Sequence, residues 1–278
     1  MAVQVSRHLF AILEQTRYEP TAKRVRALLG ARTVVDTTRA VLVWEPRRVV
    51  PQYAVPEQDV LAELVAGRPG DGATEGQPVR LGSGGPLVLT PEAGFGLHSS
   101  DGEVLTVRAA GHERPGAGFR PADPGLAGYI VLDFAAFDEW LEEDERIVSH
   151  PRDPFARIDV RRSTRQVRVE RDGQILAEST RSRLLFETHL PVRFYLPRED
   201  MHTELLKPSD TVTTCAYKGE ASYWSLHLEG LTVPDIAWTY LQPLPGAAEI
   251  RDLVCFFDER VDVLVDGVPR ERPRSPWS

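Results

Sequence analysis

"VRALLGARTVVDTTRAVLVWE" (residues 25–45) and "VRVERDGQILAESTRSRLLFE" (residues 167–187) decide how this chain is read. Laid over one another at a constant offset, Val25, Arg26, Thr38, Arg39, Leu42 and Glu45 each meet an identical residue. Asp36 meets Glu178, and Trp44 meets Phe186. After a one-residue slip, "YAVPEQDVLAELV" (53–65) lies over "FYLPREDMHTELL" (194–206), which matches Pro56, Asp59, Glu63 and Leu64 to Pro197, Asp200, Glu204 and Leu205. "GLAGYIVLDF" (125–134) parallels "AEIRDLVCFF" (248–257) more loosely. Matches in this order and at this length predict two homologous domains fused in one chain.

The repeated unit reads as mostly β. "VRVERDGQILAES" alternates charged and apolar residues around Asp172–Gly173, a dipeptide suited to a tight hairpin turn. "RLLFE", "RFYLP", "SYWSLHLEGLTVPDIAWTYL" and "DLVCFFDERVDVLVDGV" supply further short strands. Pro197 opens a helical turn or short helix over 197–206, where its missing N–H is harmless and the following acids suit the positive end. The fold expectation is mainly β, each domain a curled antiparallel sheet or small β-barrel with a short helix. An acidic linker helix over 135–146 joins them, ended by "HPRDP". The boundaries expected are 1–134 for the first repeat, 135–157 for helix and linker, 158–268 for the second repeat, and 269–278 for a disordered tail.

Composition narrows the classes. The chain has 278 residues, 42% hydrophobic and 27% charged, an ordinary globular balance. A net charge of −8 with dispersed Lys and Arg argues against holding nucleic acid or anionic lipid by charge alone. Cys215 and Cys255 lack metal-ligand spacing and are too few for a disulfide framework. The N-terminus is too short in apolar run for a signal peptide, and no later run approaches a membrane span. The default is a soluble cytoplasmic protein. Gly82–Gly85 in the Gly/Pro-rich stretch 66–86 lacks the Lys-Ser/Thr of a phosphate loop.

Two long stretches, "LLFETHLPVRFYLPREDMHTELLKPSDTVTTCAYKGEASYWSL" (184–226) and "DIAWTYLQPLP" (235–245), resemble domain-of-unknown-function family 427, common in actinobacteria and also found in fungi. The linker "FDEWLEEDERIVSHPRDPF" (137–155) is typical of its two-copy members. The resemblance implies compact, mainly β domains, and one label attached to the family points to nucleotidyl transfer without a secure reaction. The first copy departs from the motif: before Val104 stands "LTPEAGFGLHSS", without Cys, Lys or Trp.

The chemistry-bearing residues gather in "TTCAYKGEASYWS" (213–225). Cys215 beside Lys218 suits a reactive thiolate, or else a buried thiol filling an apolar site. Lys218 before Gly219 suits an anion, or else an exposed turn. Tyr223 and Trp224 point to opposite faces of a strand, while Trp238 and Tyr240 share one. One aromatic set therefore packs a core while the other can line a pocket. Glu187 and Asp200 have twins in Glu45 and Asp59, which favours structural duties, although Glu187 at a pocket mouth would suit acid–base work. His189, His202 and His227 have no ligand spacing, so no metal is expected.

Two readings of function result. In one, Cys215, Lys218, Tyr223, Trp224, Trp238 and Glu187 line a second-repeat pocket for a small anionic or planar ligand. In the other, the motif is a folding signature of a structural or interaction module. A nucleotidyltransferase-like enzyme is the third alternative, and neither a reaction nor a cofactor is assigned. In both main readings the repeats pack as an internal pseudo-dimer, with no nucleic-acid or membrane partner.

Overall fold

A computed structural model describes residues 2, 5, 10–68, 70–80, 85–273 and 275. The chain divides into two compact units, one made of Met1–Arg80 with Gly85–Asp153, the other containing Pro154–Ser278. The first contains β1 (Arg17–Pro20), β2 (Val25–Leu29), β3 (Arg32–Thr37), β4 (Val41–Trp44), β5 (Gln52–Pro56), β6 (Glu63–Ala66), β7 (Val79–Arg80), β8 (Leu87–Val88), β9 (Gly102–Ala109), β10 (His112–Pro121), β11 (Tyr129–Leu132), β12 (Glu139–Glu142) and β13 (Glu145–Ile147). Its sheets run β1-β4-β5-β11-β10-β9-β6 and β13-β12-β2-β3, with β7 and β8 paired apart.

The second unit contains β14 (Ile158–Arg162), β15 (Val167–Arg171), β16 (Gln174–Ser179), β17 (Arg183–Glu187), β18 (Arg193–Leu196), β19 (Leu206–Cys215), β20 (Gly219–Leu228), β21 (Leu231–Thr239), β22 (Val254–Phe256), β23 (Asp262–Val265) and β24 (Val268–Pro269). Its sheets run β14-β17-β18-β22-β21-β20-β19 and β16-β15-β23-β24. Strand for strand, these are the orders of the first unit without β7 and β8. The pairings within these sheets are antiparallel. The protein is mainly β and its sheets are open, so each unit is a curled-sheet assembly and not a closed barrel.

Local details also coincide. Asp172 (φ 51°) and Gly173 (φ 80°) make the left-handed turn between β15 and β16, as Gly30 (φ 58°) and Ala31 (φ 59°) do between β2 and β3. Each hairpin slips register once, after Ala27 in the first unit and after Val169 in the second. In the second unit Val167, Val169, Leu176 and Val263 meet Phe194 and Phe256 in one buried cluster between the two sheets. Each such side chain contributes roughly 1.5–3 kcal/mol of hydrophobic stabilisation.

The expected acidic helix over 135–146 is instead a 3-10 turn, Phe134–Ala136, followed by the hairpin β12–β13. Trp140 explains the difference. It is 1% exposed, sits opposite Ala27 of β2, and stacks on Tyr53 at 5.0 Å. The acids that suggested a solvated helix face find cross-strand cations instead: Lys23–Glu142 at 2.5 Å and Arg26–Asp144 at 2.8 Å. Sheet pairing and aromatic burial outweigh helix propensity here. The segment is the counterpart of β23–β24, with Glu143 (φ 50°) at the turn where Asp266 (φ 53°) stands.

The helical turn or short helix expected over 197–206 takes the form of two 3-10 turns, Arg198–Asp200 and Thr203–Leu205. Asp200 caps neither. It accepts hydrogen bonds from Ser179 Oγ (2.6 Å) and Arg181 (2.5 Å), as Asp59 does from Thr37 Oγ1 (2.6 Å) and Arg39 (2.7 Å). In the expected tail from 269, Arg272 pairs with Asp262 at 2.9 Å and Ser275 is buried against Glu259; residues 274 and 276–278 lie outside the described residues. So do residues 82–84 of the glycine-rich loop and most of the N-terminal segment. Among the described residues, no helix is long and apolar enough to cross a membrane.

Candidate functional site

The motif residues divide between the two faces of the second unit's seven-stranded sheet. Tyr223 lies opposite Trp238 and Trp224 lies opposite Ala237 in the β20–β21 ladder, so the two aromatics diverge as alternation requires. Tyr223 and Trp238 join Tyr195, Tyr240 and Phe257 on the outer face. Trp224 packs instead against the core between the sheets. Five of the six predicted site residues therefore come together, and Trp224 does not.

On the outer face, Lys218 sits in the three-residue turn between β19 and β20. Gly219 closes that turn at φ +93°, a conformation that L side chains rarely adopt. The turn directs Lys218 inward, where its Nζ lies 2.5 Å from Glu187 Oε2 at the end of β17. Lys218 is 8% exposed. Burial alone would pull its pKa down, but the charge of Glu187 and the neighbouring Cys215 thiol hold it above the ordinary lysine value. The cation is already neutralised, which removes it as a free anion receptor. Cys215 stays partly exposed at the end of β19. Tyr240 lies close enough to Cys215, Tyr223 and Glu187 for their charges, with burial as the larger cause, to drive its phenol far above the usual range. Trp238 donates from Nε1 to Tyr195 Oη at 3.0 Å.

The first unit builds the same position differently. Glu45, the twin of Glu187, is 4% exposed. It accepts from Ser100 Oγ at 2.6 Å, faces His98 Nδ1 at 3.2 Å, and pairs with Arg48 at 3.4 Å. Burial raises the Glu45 pKa, yet these three partners hold it below the ordinary value. Residues 98 and 100 belong to "LTPEAGFGLHSS", the stretch that lacks the motif's Cys, Lys and Trp. The buried glutamate keeps a polar partner from the segment before the equivalent strand, with the residue types exchanged. Arg48 also donates to the carbonyls of Ala93, Gly94, Phe95 and Leu97, which fastens that loop.

Beneath Trp238 lies an ionic group that sequence reading missed. Arg193, 5% exposed, makes a two-pronged pair with Glu259 at 2.9 and 2.7 Å and stands 5.5 Å over the Trp238 ring. Asp258 lies 3.7 Å away. Burial pushes its carboxyl up to about 6, against the pull of Arg193. A buried arginine two residues before a Tyr-Leu-Pro string was the available signal.

A cleft of about 730 Å³ opens across one end of the same sheet. Its wall is built from the end of β14, the starts of β17 and β22, and the ends of β18 and β21. Arg162, Arg181, Arg183, Arg198 and Arg251 line it against three carboxylates, Glu199, Glu249 and Asp252. Trp224 forms part of the wall, with the Arg198 guanidinium 4.6 Å from its ring centre. Arg181 is held by Asp200, whereas among the described residues Arg162, Arg198 and Arg251 have no carboxylate partner. Among the described residues Trp224 Nε1 is buried without a hydrogen-bond acceptor, and Arg183 Nε makes no hydrogen bond but lies 3.8 Å from Glu249 Oε2, an ion pair within the wall. Scattered arginines carry no sequence periodicity, so only the strand order gathers them. Among the described residues, no three His, Cys, Asp or Glu side chains are grouped to hold a metal ion.

Part of the second unit matches a known family model. Residues 159–267 match the model of the family described as "Domain of unknown function (DUF427)", which also carries the label NTP_transf_9. No curated protein matches the chain.

Proposed function

We propose that the second unit is a small-ligand-binding domain whose ligand is anionic and occupies the arginine-lined cleft at the end of the seven-stranded sheet. The observation that carries this reading is the excess of guanidinium groups over carboxylates in one concavity of a chain with net charge −8. Its volume falls within the roughly 300–1,000 Å³ of small-molecule sites. Guanidinium is the side chain suited to planar, two-pronged recognition of phosphate or carboxylate. In this reading the anionic group goes to the cleft and not to Lys218, because Glu187 already satisfies that ammonium.

The two units are, in the same proposal, copies of one ancestral domain, supported by identical strand orders and by the shared Asp59 and Asp200 networks. A second reading concerns the motif alone. Burial and pairing of Lys218, with a rebuilt equivalent around Glu45, favour a folding signature for "TTCAYKGEASYWS". Titration calorimetry of inorganic phosphate into the full chain at low ionic strength tests the ligand reading. Binding that weakens in Arg251→Ala supports it. Absence of binding, or binding unaltered by that substitution, contradicts it.

A further inference from the structure

Resting on the cleft reading, we infer that its ligand is an organic carboxylate with a single negative charge and an apolar body, taken up by the second unit alone. Three groups at one end of the sheet converge on the acid. Arg198 follows β18 and Arg251 precedes β22. The pairing of Leu196 with Val254 makes the two segments continuations of adjacent strands, about 4.8 Å apart. The Arg198 guanidinium lies 4.6 Å over the Trp224 ring, and among the described residues Trp224 Nε1 is buried without an acceptor. A donor shut away from water and left unpaired is costly. An oxyanion reaching Nε1 beside the Arg198 guanidinium is stabilised by both.

Charge decides between a carboxylate and a phosphate ester. Arg181 is held by Asp200 and Glu199, and Arg183 faces Glu249 at 3.8 Å. Asp252 also lines the wall. Counting Asp200, five guanidiniums meet four carboxylates, which leaves one positive charge in excess. A carboxylate matches that excess. A phosphate ester, close to doubly charged at neutral pH, sets its second charge against Glu199 and Asp252. The rest of the wall favours an apolar body. Pro197, Leu241, Leu253 and Val254 line the cleft beside Trp224, and Leu241 is left 54% exposed.

The first unit shows that the fold does not demand these groups. Strand registers place Glu57, Leu105 and Ala127 at the positions of Arg198, Trp224 and Arg251. Glu57 reverses the charge and is taken by Arg120 at 2.7 Å. Arg162 stands directly opposite Arg183, a placement of like charges that costs stability, where the first unit sets Pro20 opposite Val41. Arg39, by contrast, stands where Arg181 does and keeps the same bond to an aspartate. The arginine that both units retain has a structural partner. Arg198 and Arg251, confined to the second unit, do not, so one ligand per chain is expected.

The test is calorimetric titration of acetate, benzoate, benzamide and phenyl phosphate into the full chain. Benzoate is expected to bind once per chain, at least about tenfold more tightly than acetate, because its ring leaves water against the apolar wall. Benzamide lacks the charge and phenyl phosphate carries too much, so each is expected to bind at least about tenfold more weakly than benzoate. Arg198→Gln is expected to weaken benzoate about tenfold, as is Trp224→Phe, which keeps a ring and removes the donor. Circular dichroism melting establishes that each variant folds, and the exposed Arg198 serves if Trp224→Phe does not. The carboxylate ligand is overturned if acetate, benzamide or phenyl phosphate matches benzoate, if a second benzoate binds, or if Arg198→Gln leaves benzoate unchanged. Binding of inorganic phosphate then still supports the anion cleft. If neither benzoate nor inorganic phosphate binds, both fail.

Discussion

Lys218 Nζ lies 2.5 Å from Glu187 Oε2, and their side chains are 10% and 13% exposed. A pair this enclosed is strongly coupled, because removing either partner strands the other charge in a poor solvent. Lys218→Met is therefore expected to destabilise the second unit by about 3–5 kcal/mol, and Lys218→Met combined with Glu187→Leu to recover most of that loss. Urea denaturation of both variants beside the wild type checks this, and equal losses in the single and double variants would disprove the coupling. The pH sign follows from the raised lysine pKa. The stabilisation is complete below the unfolded-state value, about 10.4, and fades as pH rises through the folded-state value. The wild type should thus lose stability at alkaline pH in a way that Lys218→Met does not.

Asp258 gives an acid-side signal. Its carboxyl is raised by burial to about 6, above its unfolded value near 3.8. The folded state binds more protons between those values, so this group's contribution to stability falls as pH rises from about 4 to about 6. Two units correspond to about 3 kcal/mol. Asp258→Asn is expected to remove the dependence, so the difference in stability between wild type and variant should change across that window and be flat above it. A flat difference throughout would show that Asp258 titrates normally.

The aspartates shared by the two units should behave as independent copies. Asp59→Asn and Asp200→Asn each weaken charged hydrogen bonds to a hydroxyl and a guanidinium, and each is expected to cost about 1–3 kcal/mol. Because the two networks lie in different units, the double variant should show the sum. Strong non-additivity in denaturation would contradict separate duties.

These networks also mark how far the sequence could be read. The twinned Asp59 and Asp200, the Asp172–Gly173 turn and the opposed Tyr223 and Trp224 were legible because each rests on local spacing. β12 was not, because the six acids between residues 138 and 145 mimic a helix until pairing with β2 reveals cations for two of them at Lys23 and Arg26. Of the candidate site, the outer-face group was legible from its motif. The cleft was not, since Arg162, Arg183, Arg198 and Arg251 meet only through the order of the strands.

The two cysteines should separate cleanly in native protein. Cys255 is fully buried, and desolvation drives its thiol pKa well above the ordinary value. Cys215 is partly exposed at the end of β19. A colorimetric thiol reagent should titrate one cysteine in the native chain and two after denaturation, with Cys215→Ser abolishing the native signal. Two reactive thiols in the native chain, or none, would contradict this burial.

The claim at the centre of this account is that the arginine cleft, and not the Lys218 face, receives the anionic ligand. A crystal structure of the full chain grown with inorganic phosphate tests it most directly. The account predicts electron density for the ion in the cleft, against the guanidinium groups of Arg198 and Arg251. Ligand density instead against Cys215, Lys218 and Tyr240 would contradict it.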